Sequence, residues 1–179
     1  MLAHETGHRI GAIRHLRWSD IDFEERTIRW RAEHEKTGYE HRTPVTAQAL
    51  AALQEARSMS RGTGDAPVLP SPRNATECAS RVSAYLWWKK AETLAELEPK
   101  YGRGWHSLRR KFASDLMDLP LKVLCELGGW KEAQTVLRCY QQGRHGTTQE
   151  GSGESSERRR LTPSQSAGVK MREFIRRVP

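Results

Sequence analysis

The sequence predicts a mainly helical fold of the mixed α+β class with one small antiparallel β-sheet. Three observations carry that expectation. Only one stretch alternates with a period of two, whereas several longer stretches repeat their apolar residues with the period of an α-helix. The 179-residue chain, 36% apolar, holds material for one hydrophobic core rather than two. From residue 143 the composition changes: GRHGTTQEGSGESSERRR is almost devoid of apolar side chains. Residues 143–179 are therefore expected to form a disordered basic tail, with a short helix near 168–177 suggested by Val169, Met171, Phe174 and Ile175. Residues 1–142 remain as one domain of ordinary size.

Taken in order, Thr6 is a candidate N-cap for GHRIGAIRHL, a helix with Ile10, Ile13 and Leu16 on its apolar face. Trp18-Ser-Asp-Ile-Asp22 reads as a stop and turn. Residues 27–32, TIRWRA, alternate and predict a half-buried strand with Ile28, Trp30 and Ala32 inward. HEKTGYEHRTPV continues it as a hairpin turning near Lys36-Thr-Gly38, with a return strand ending at Pro44-Val45. Thr46 caps a second helix reaching about Ser58, carrying Leu50 and Leu53.

A Pro/Gly loop over 60–75 separates this from a longer helix, expected over about 76–97, with Val82, Leu86, Trp87 and Leu94 as its apolar residues. HSLRRKFASDLM follows a glycine-rich connection and predicts a helix burying Leu108, Phe112 and Leu116. Pro120 opens a short helix to Leu127, Gly128-Gly129 breaks it, and KEAQTVLRCYQQ forms the last one.

The net charge of +8 favours a polyanionic partner, foremost nucleic acid. The three cysteines, Cys78, Cys125 and Cys139, form no CxxC pair and are odd in number, which fits free thiols in a reducing cytoplasm. No stretch is apolar for long enough to cross a bilayer.

Residues 4–8, HETGH, match the HExxH zinc-hydrolase pattern. That chemistry needs both histidines on one face of a continuous helix. Thr6-Gly7 interrupts such a helix, and the position where an extended metal motif needs a third histidine is Arg14. His15, one residue on, projects about 100° away around a helix of ~3.6 residues per turn. The alternative focus of the segment is Arg9, beside backbone N–H groups that already favour an anion.

Four segments in sequence resemble the phage-integrase, or tyrosine site-specific recombinase, catalytic domain. TGHRIGAIRHLRWSDID is similar to its first box, EKTGYEHRTPV to its lysine hairpin, WHSLRRKFAS to its His-x-x-Arg box, and LGGWKEAQTVLRCY to its closing His/Trp and tyrosine segment. The resemblance spans residues 1–142 and implies catalytic roles for Arg9, Lys36, His106, Arg109, Trp130 and the nucleophile Tyr140. It implies cleavage and rejoining of double-stranded DNA through a 3′-phosphotyrosine intermediate, without metal or nucleotide cofactor. A homotetramer on DNA and a companion N-terminal DNA-clamping domain are likewise implied, MLAHE being similar to the last turn of a longer first helix.

These residue types suit the chemistry. Two guanidiniums offer paired N–H forks to the non-bridging oxygens of a phosphodiester. A free tyrosine titrates near pH ~10, so forming phenolate at neutral pH costs about 4 kcal/mol and calls for a base or cationic field. His106 is the candidate base, with Arg109 one turn on. Lys36 at a hairpin tip is the candidate acid for the departing 5′-oxygen, and Trp130 can donate one indole N–H. The sequence departs from the family pattern at Ala12, three residues after Arg9, where many members carry an acid. A catalytically inactive DNA-binding remnant, a type IB topoisomerase-like enzyme and the zinc hydrolase are the alternative readings.

Overall fold

The computed structural model describes residues 1–36 and 38–140, the side chains of Cys139 and Tyr140 excepted. The expected tail and its short helix lie outside the described residues. Among the described residues seven helices surround one sheet, one more than the periodicities predict: α1 (Leu2–Thr6), α2 (Ile10–Arg14), α3 (Ala47–Ser60), α4 (Arg81–Leu94), α5 (Trp105–Asp115), α6 (Leu121–Gly128) and α7 (Ala133–Tyr140). The strands are β1 (Ile21–Asp22), β2 (Thr27–Trp30) and β3 (His41–Pro44), antiparallel in the order β1-β2-β3.

The first helix boundary differs from expectation. Thr6 is the last residue of α1 and not an N-cap; its hydroxyl donates back to the Leu2 carbonyl at 2.9 Å. Gly7 ends the helix in the left-handed region at φ 65°, where a glycine meets no Cβ penalty. A Cβ there would also lie 2.3 Å from the Phe112 ring, so the glycine allows α5 to close on this turn. Arg9 consequently serves as the N-cap residue of α2 in an extended conformation.

Trp18-Ser-Asp20 forms a 3₁₀ turn that leads into β1, a strand the sequence reading took for part of a turn. Buried Asp20 explains the site: its carboxylate accepts from the Arg17 backbone N–H and from the Arg29 and Arg31 guanidiniums at 2.8–3.2 Å. Strand β2 buries Ile28 and Trp30 as the alternation requires, and pairs Trp30 with His41 of β3. Ala32 is not inward in a strand but opens a second 3₁₀ turn, Ala32–His34, which carries the chain to the hairpin tip.

Thr46 caps α3 as expected, its hydroxyl accepting from the Ala49 N–H at 3.2 Å. The fourth helix is shorter than 76–97. Asn74 instead closes a turn by accepting from Thr76, and Ser80 provides the cap, accepting from the Ser83 N–H at 3.0 Å. Its inward face is also displaced: Ala84 and Glu92 are buried while Val82, Leu86 and Leu94 are exposed. The small Ala84 side chain permits α5 to approach, and the Trp105 indole N–H donates to the Ala84 carbonyl at 2.9 Å.

Two buried clusters result. One joins α2, the sheet and α3 through Ile13, Leu16, Ile28, Trp30, Val45 and Leu53. The other joins α5, α6 and α7 through Phe112, Leu116, Leu124, Leu127, Trp130 and Val136. The boundary between them is where Arg109 lies, and the site forms along it.

Candidate active site

Four pieces of chain meet at one cleft of about 860 Å³: the turn between α1 and α2, the β2–β3 hairpin tip, the inner face of α4, and the start of α5. Arg9, Lys36, His106 and Arg109 all line it, so four of the six residues singled out from the sequence come together. Further cations face the same space, namely Arg14, Arg81, Lys89 and Arg103, against the carboxylates of Glu33 and Glu35. Positive charge concentrated on low-dielectric walls attracts a polyanion.

Arg109 is 2% exposed and bonded at its terminal nitrogen to two separate segments of the chain. One terminal nitrogen donates to the Gly7 carbonyl at 2.5 Å and to the Gly128 carbonyl at 2.6 Å. Its guanidinium carbon lies 3.8 Å over the Trp130 ring, a cation–π contact. The guanidinium thus ties the α1–α2 turn to the end of α6. Gly128 is required for this packing, since a Cβ would fall 1.7 Å from the Trp130 ring. Trp130 itself does not line the cleft; it is buried between Arg109 and Phe112.

Below Arg9 lies a stack of aromatic rings. His8, fully buried, packs on Trp30 with ring centroids 3.6 Å apart and planes 6° from parallel. Its Nδ1 lies 3.0 Å from the Thr6 carbonyl and its Nε2 3.0 Å from Nε2 of His41. Burial, with His41 and Arg109 nearby, pushes His8 well below the ordinary imidazole range, so it is neutral. The HETGH segment is therefore not one helix: His4 belongs to α1 and pairs with Glu5, whereas His8 lies buried past the left-handed Gly7. Among the described residues no group of three or more His, Cys, Asp or Glu side chains could hold a metal ion.

His106 stands at the exposed start of α5. Loss of solvent around its ring, and then the charges of Arg110, Arg109 and Arg9, hold it below the ordinary imidazole value, leaving it neutral and able to accept a proton. Lys36 sits exposed on the hairpin turn. Helix α7 ends on Tyr140, whose side chain is outside the described set.

The sequence reading missed several residues of this site. Glu35 and His8 were overlooked as neighbours of Arg9, although Glu35 adjoins Lys36 in the chain. Arg81 and Lys89 were overlooked because the long helix was read for its apolar residues, not for its basic ones. Their spacing of eight, about two turns, was the available signal.

This fold, a small three-stranded sheet wrapped by helices with a basic cleft at the hairpin, is that of tyrosine-recombinase catalytic domains. XerA recombinase superposes with TM-score 0.65 at 16% identity, over 99% of this chain and 56% of that one. The Tn1549 transposon integrase in complex with a circular intermediate DNA gives TM-score 0.63 at 18% identity, over 78% and 52%. A lambda integrase dimer bound to a COC′ core site gives 0.61 at 21%, over 83% and 53%. The chain spans about half the length of these structures. No curated protein matches the sequence. The phage integrase family matches residues 1–145, and the chain belongs to that family. No helix among the described residues is long and apolar enough to cross a membrane.

Proposed function

We propose that this chain is the catalytic part of a site-specific DNA recombinase, a strand transferase acting through a 3′-phosphotyrosine intermediate. The observation that carries the reading is the convergence of Arg9, Arg109, His106 and Lys36 on one basic cleft, from segments up to 100 positions apart in sequence. Duplex DNA is the partner, and assembly as a homotetramer on DNA, with a companion N-terminal domain clamping the duplex, belongs to the same proposal.

In this mechanism the scissile phosphate enters the cleft with its non-bridging oxygens toward Arg9 and Arg109. The Tyr140 hydroxyl gives its proton to neutral His106 as its oxygen bonds to phosphorus. The bond from phosphorus to the 5′-oxygen breaks, and Lys36 supplies the proton that makes that oxygen a 5′-hydroxyl. Rejoining runs the same transfers backwards. Fixed guanidiniums lower the barrier because they need no reorganisation as charge gathers on the phosphoryl oxygens. Trp130 contributes by covering Arg109, a role exerted through the guanidinium rather than at the phosphate.

The test is incubation with nicked half-site DNA drawn from a pool of candidate sequences. A covalent protein–DNA adduct is expected, with none in Tyr140→Phe, because removing the phenolic oxygen removes the nucleophile. Duplex binding without any adduct would instead support the inactive-remnant reading. Binding is expected to be salt-sensitive: log affinity should fall against log salt with a slope of about −0.9 for each phosphate neutralised. A slope near zero would argue that the cationic cleft does not meet DNA backbone.

A further inference from the structure

Beside the Arg9 guanidinium lies an acid that the strand-transfer roles leave unused. Glu35 immediately precedes Lys36, yet its side chain is 1% exposed, inside the wall of the cleft. One carboxylate oxygen is 3.5 Å from a terminal nitrogen of Arg9, and the other is 3.9 Å from Nε2 of His8 and has no hydrogen-bond donor. The Arg9 nitrogen facing it is likewise buried and without a hydrogen-bond acceptor. Burial pushes the Glu35 carboxyl above the ordinary carboxylate range, and because His8 is neutral the charge that opposes this is guanidinium charge, from Arg9 first and Arg109 second.

The helix that carries Arg9 supplies no such partner. One turn along α2, on the same face, stands Ala12, and the segment Ile10–Arg14 contains no acid. An arginine at the mouth of a cleft, 30% exposed and without a fixed acceptor, samples many rotamers. A carboxylate reaching it from the hairpin removes that freedom. The same contact also fastens the hairpin tip, because Glu35 and Lys36 are adjacent.

We propose that Glu35 is the positioning residue of this cleft, orienting the Arg9 guanidinium toward the phosphate and anchoring the hairpin turn that presents Lys36. The inference rests on the strand-transfer reading of the site and assigns the role of an α2 acid to a residue on a different element. Glu35 touches neither the phosphate nor the leaving group; it acts through Arg9 and Lys36. Being withdrawn into the wall, it orients the cation without taking the anion's place.

The test compares wild type with Glu35→Gln, which keeps shape and loses charge. Adduct formation at saturating half-site DNA is expected to fall about 10–100-fold, while duplex affinity stays within about twofold of wild type. In the free protein, the NMR order parameter of the Arg9 Nε–H vector, which reports the rotamer freedom of that side chain, is expected to fall below about 0.6 when the carboxylate charge beside its terminal nitrogen is lost. Glu35→Asp, which withdraws the carboxylate by one methylene, gives the same readouts if Glu35→Gln does not fold. An adduct rate within about twofold of wild type, or an unchanged Arg9 order parameter, overturns the proposal. If wild type itself forms no adduct, the strand-transfer reading fails, and the Arg9 order parameter still decides whether Glu35 holds that side chain.

Discussion

Replacing Arg109 by alanine is expected to lower adduct formation on half-site DNA by a factor of about 10²–10³ and to destabilise the fold by about 4 kcal/mol. The two effects have one origin. The guanidinium donates to the carbonyls of Gly7 and Gly128, and both are buried where water does not replace it. Each carbonyl left without a donor costs about 1–3 kcal/mol, and the lost contact with Trp130 adds about 1–2 kcal/mol. In the proposed mechanism, the variant removes one of the two guanidiniums offered to the phosphate. Arg109→Lys separates the parts: it keeps the charge and one nitrogen for the two carbonyls, which a single terminal nitrogen now serves, but it has no second nitrogen to offer a phosphate oxygen. We expect it to recover part of the stability and less than about a tenth of the lost activity. Urea unfolding and single-turnover adduct kinetics check the pair, and wild-type cleavage by Arg109→Ala would remove this residue from the mechanism.

Trp30→Ala is expected to cost about 3–5 kcal/mol, the range for deleting a fully buried aromatic side chain. Trp30 is 1% exposed, forms the platform on which His8 stacks, and donates its indole N–H to the Thr43 hydroxyl at 2.7 Å. Its loss opens a cavity beneath the residue that precedes Arg9, so the cleft wall loosens together with the core. Trp30→Phe retains most of the stacked surface and surrenders the hydrogen bond. It is expected to cost less than half as much, the Thr43 hydroxyl then lacking its donor at about 1 kcal/mol. Chemical unfolding followed by circular dichroism measures both. Equal losses in the two variants would show that the hydrogen bond, not the stacking, dominates at this position.

Both variants act on the same layout. Tyrosine-recombinase architecture puts no single element in charge of the site; the cleft is a seam between two packed clusters, closed by Arg109 on one side and by the His8–Trp30 stack on the other. Under the proposed mechanism, mutations at the seam are therefore expected to change stability and phosphate handling together. Glu35→Gln differs in that its main expected effect is on the reaction.

Much of this was legible in the sequence, and for local reasons. The period-two alternation of Thr27–Trp30 specified a strand, and Trp30 and Ile28 are buried because that period admits no other face. Thr46 and Pro120 marked helix starts by the chemistry of their own side chains. The order of the four boxes was readable as well, and with it Arg9, Lys36, His106 and Arg109. What only the tertiary structure decided is which residues become neighbours across the chain. Thr6 looked like a cap because the hydroxyl chemistry of a cap is local, but the helix ends at the left-handed Gly7, against which Phe112, more than 100 positions away, packs too closely for any Cβ. Val82 and Leu86 read as core, yet packing against Trp105 selects the Ala84 face and leaves them in solvent. The partnership of Glu35 with Arg9 was invisible for the same reason. A charge buried by the fold takes its counterion from whatever the hairpin brings within reach, and sequence separation carries no information about that distance.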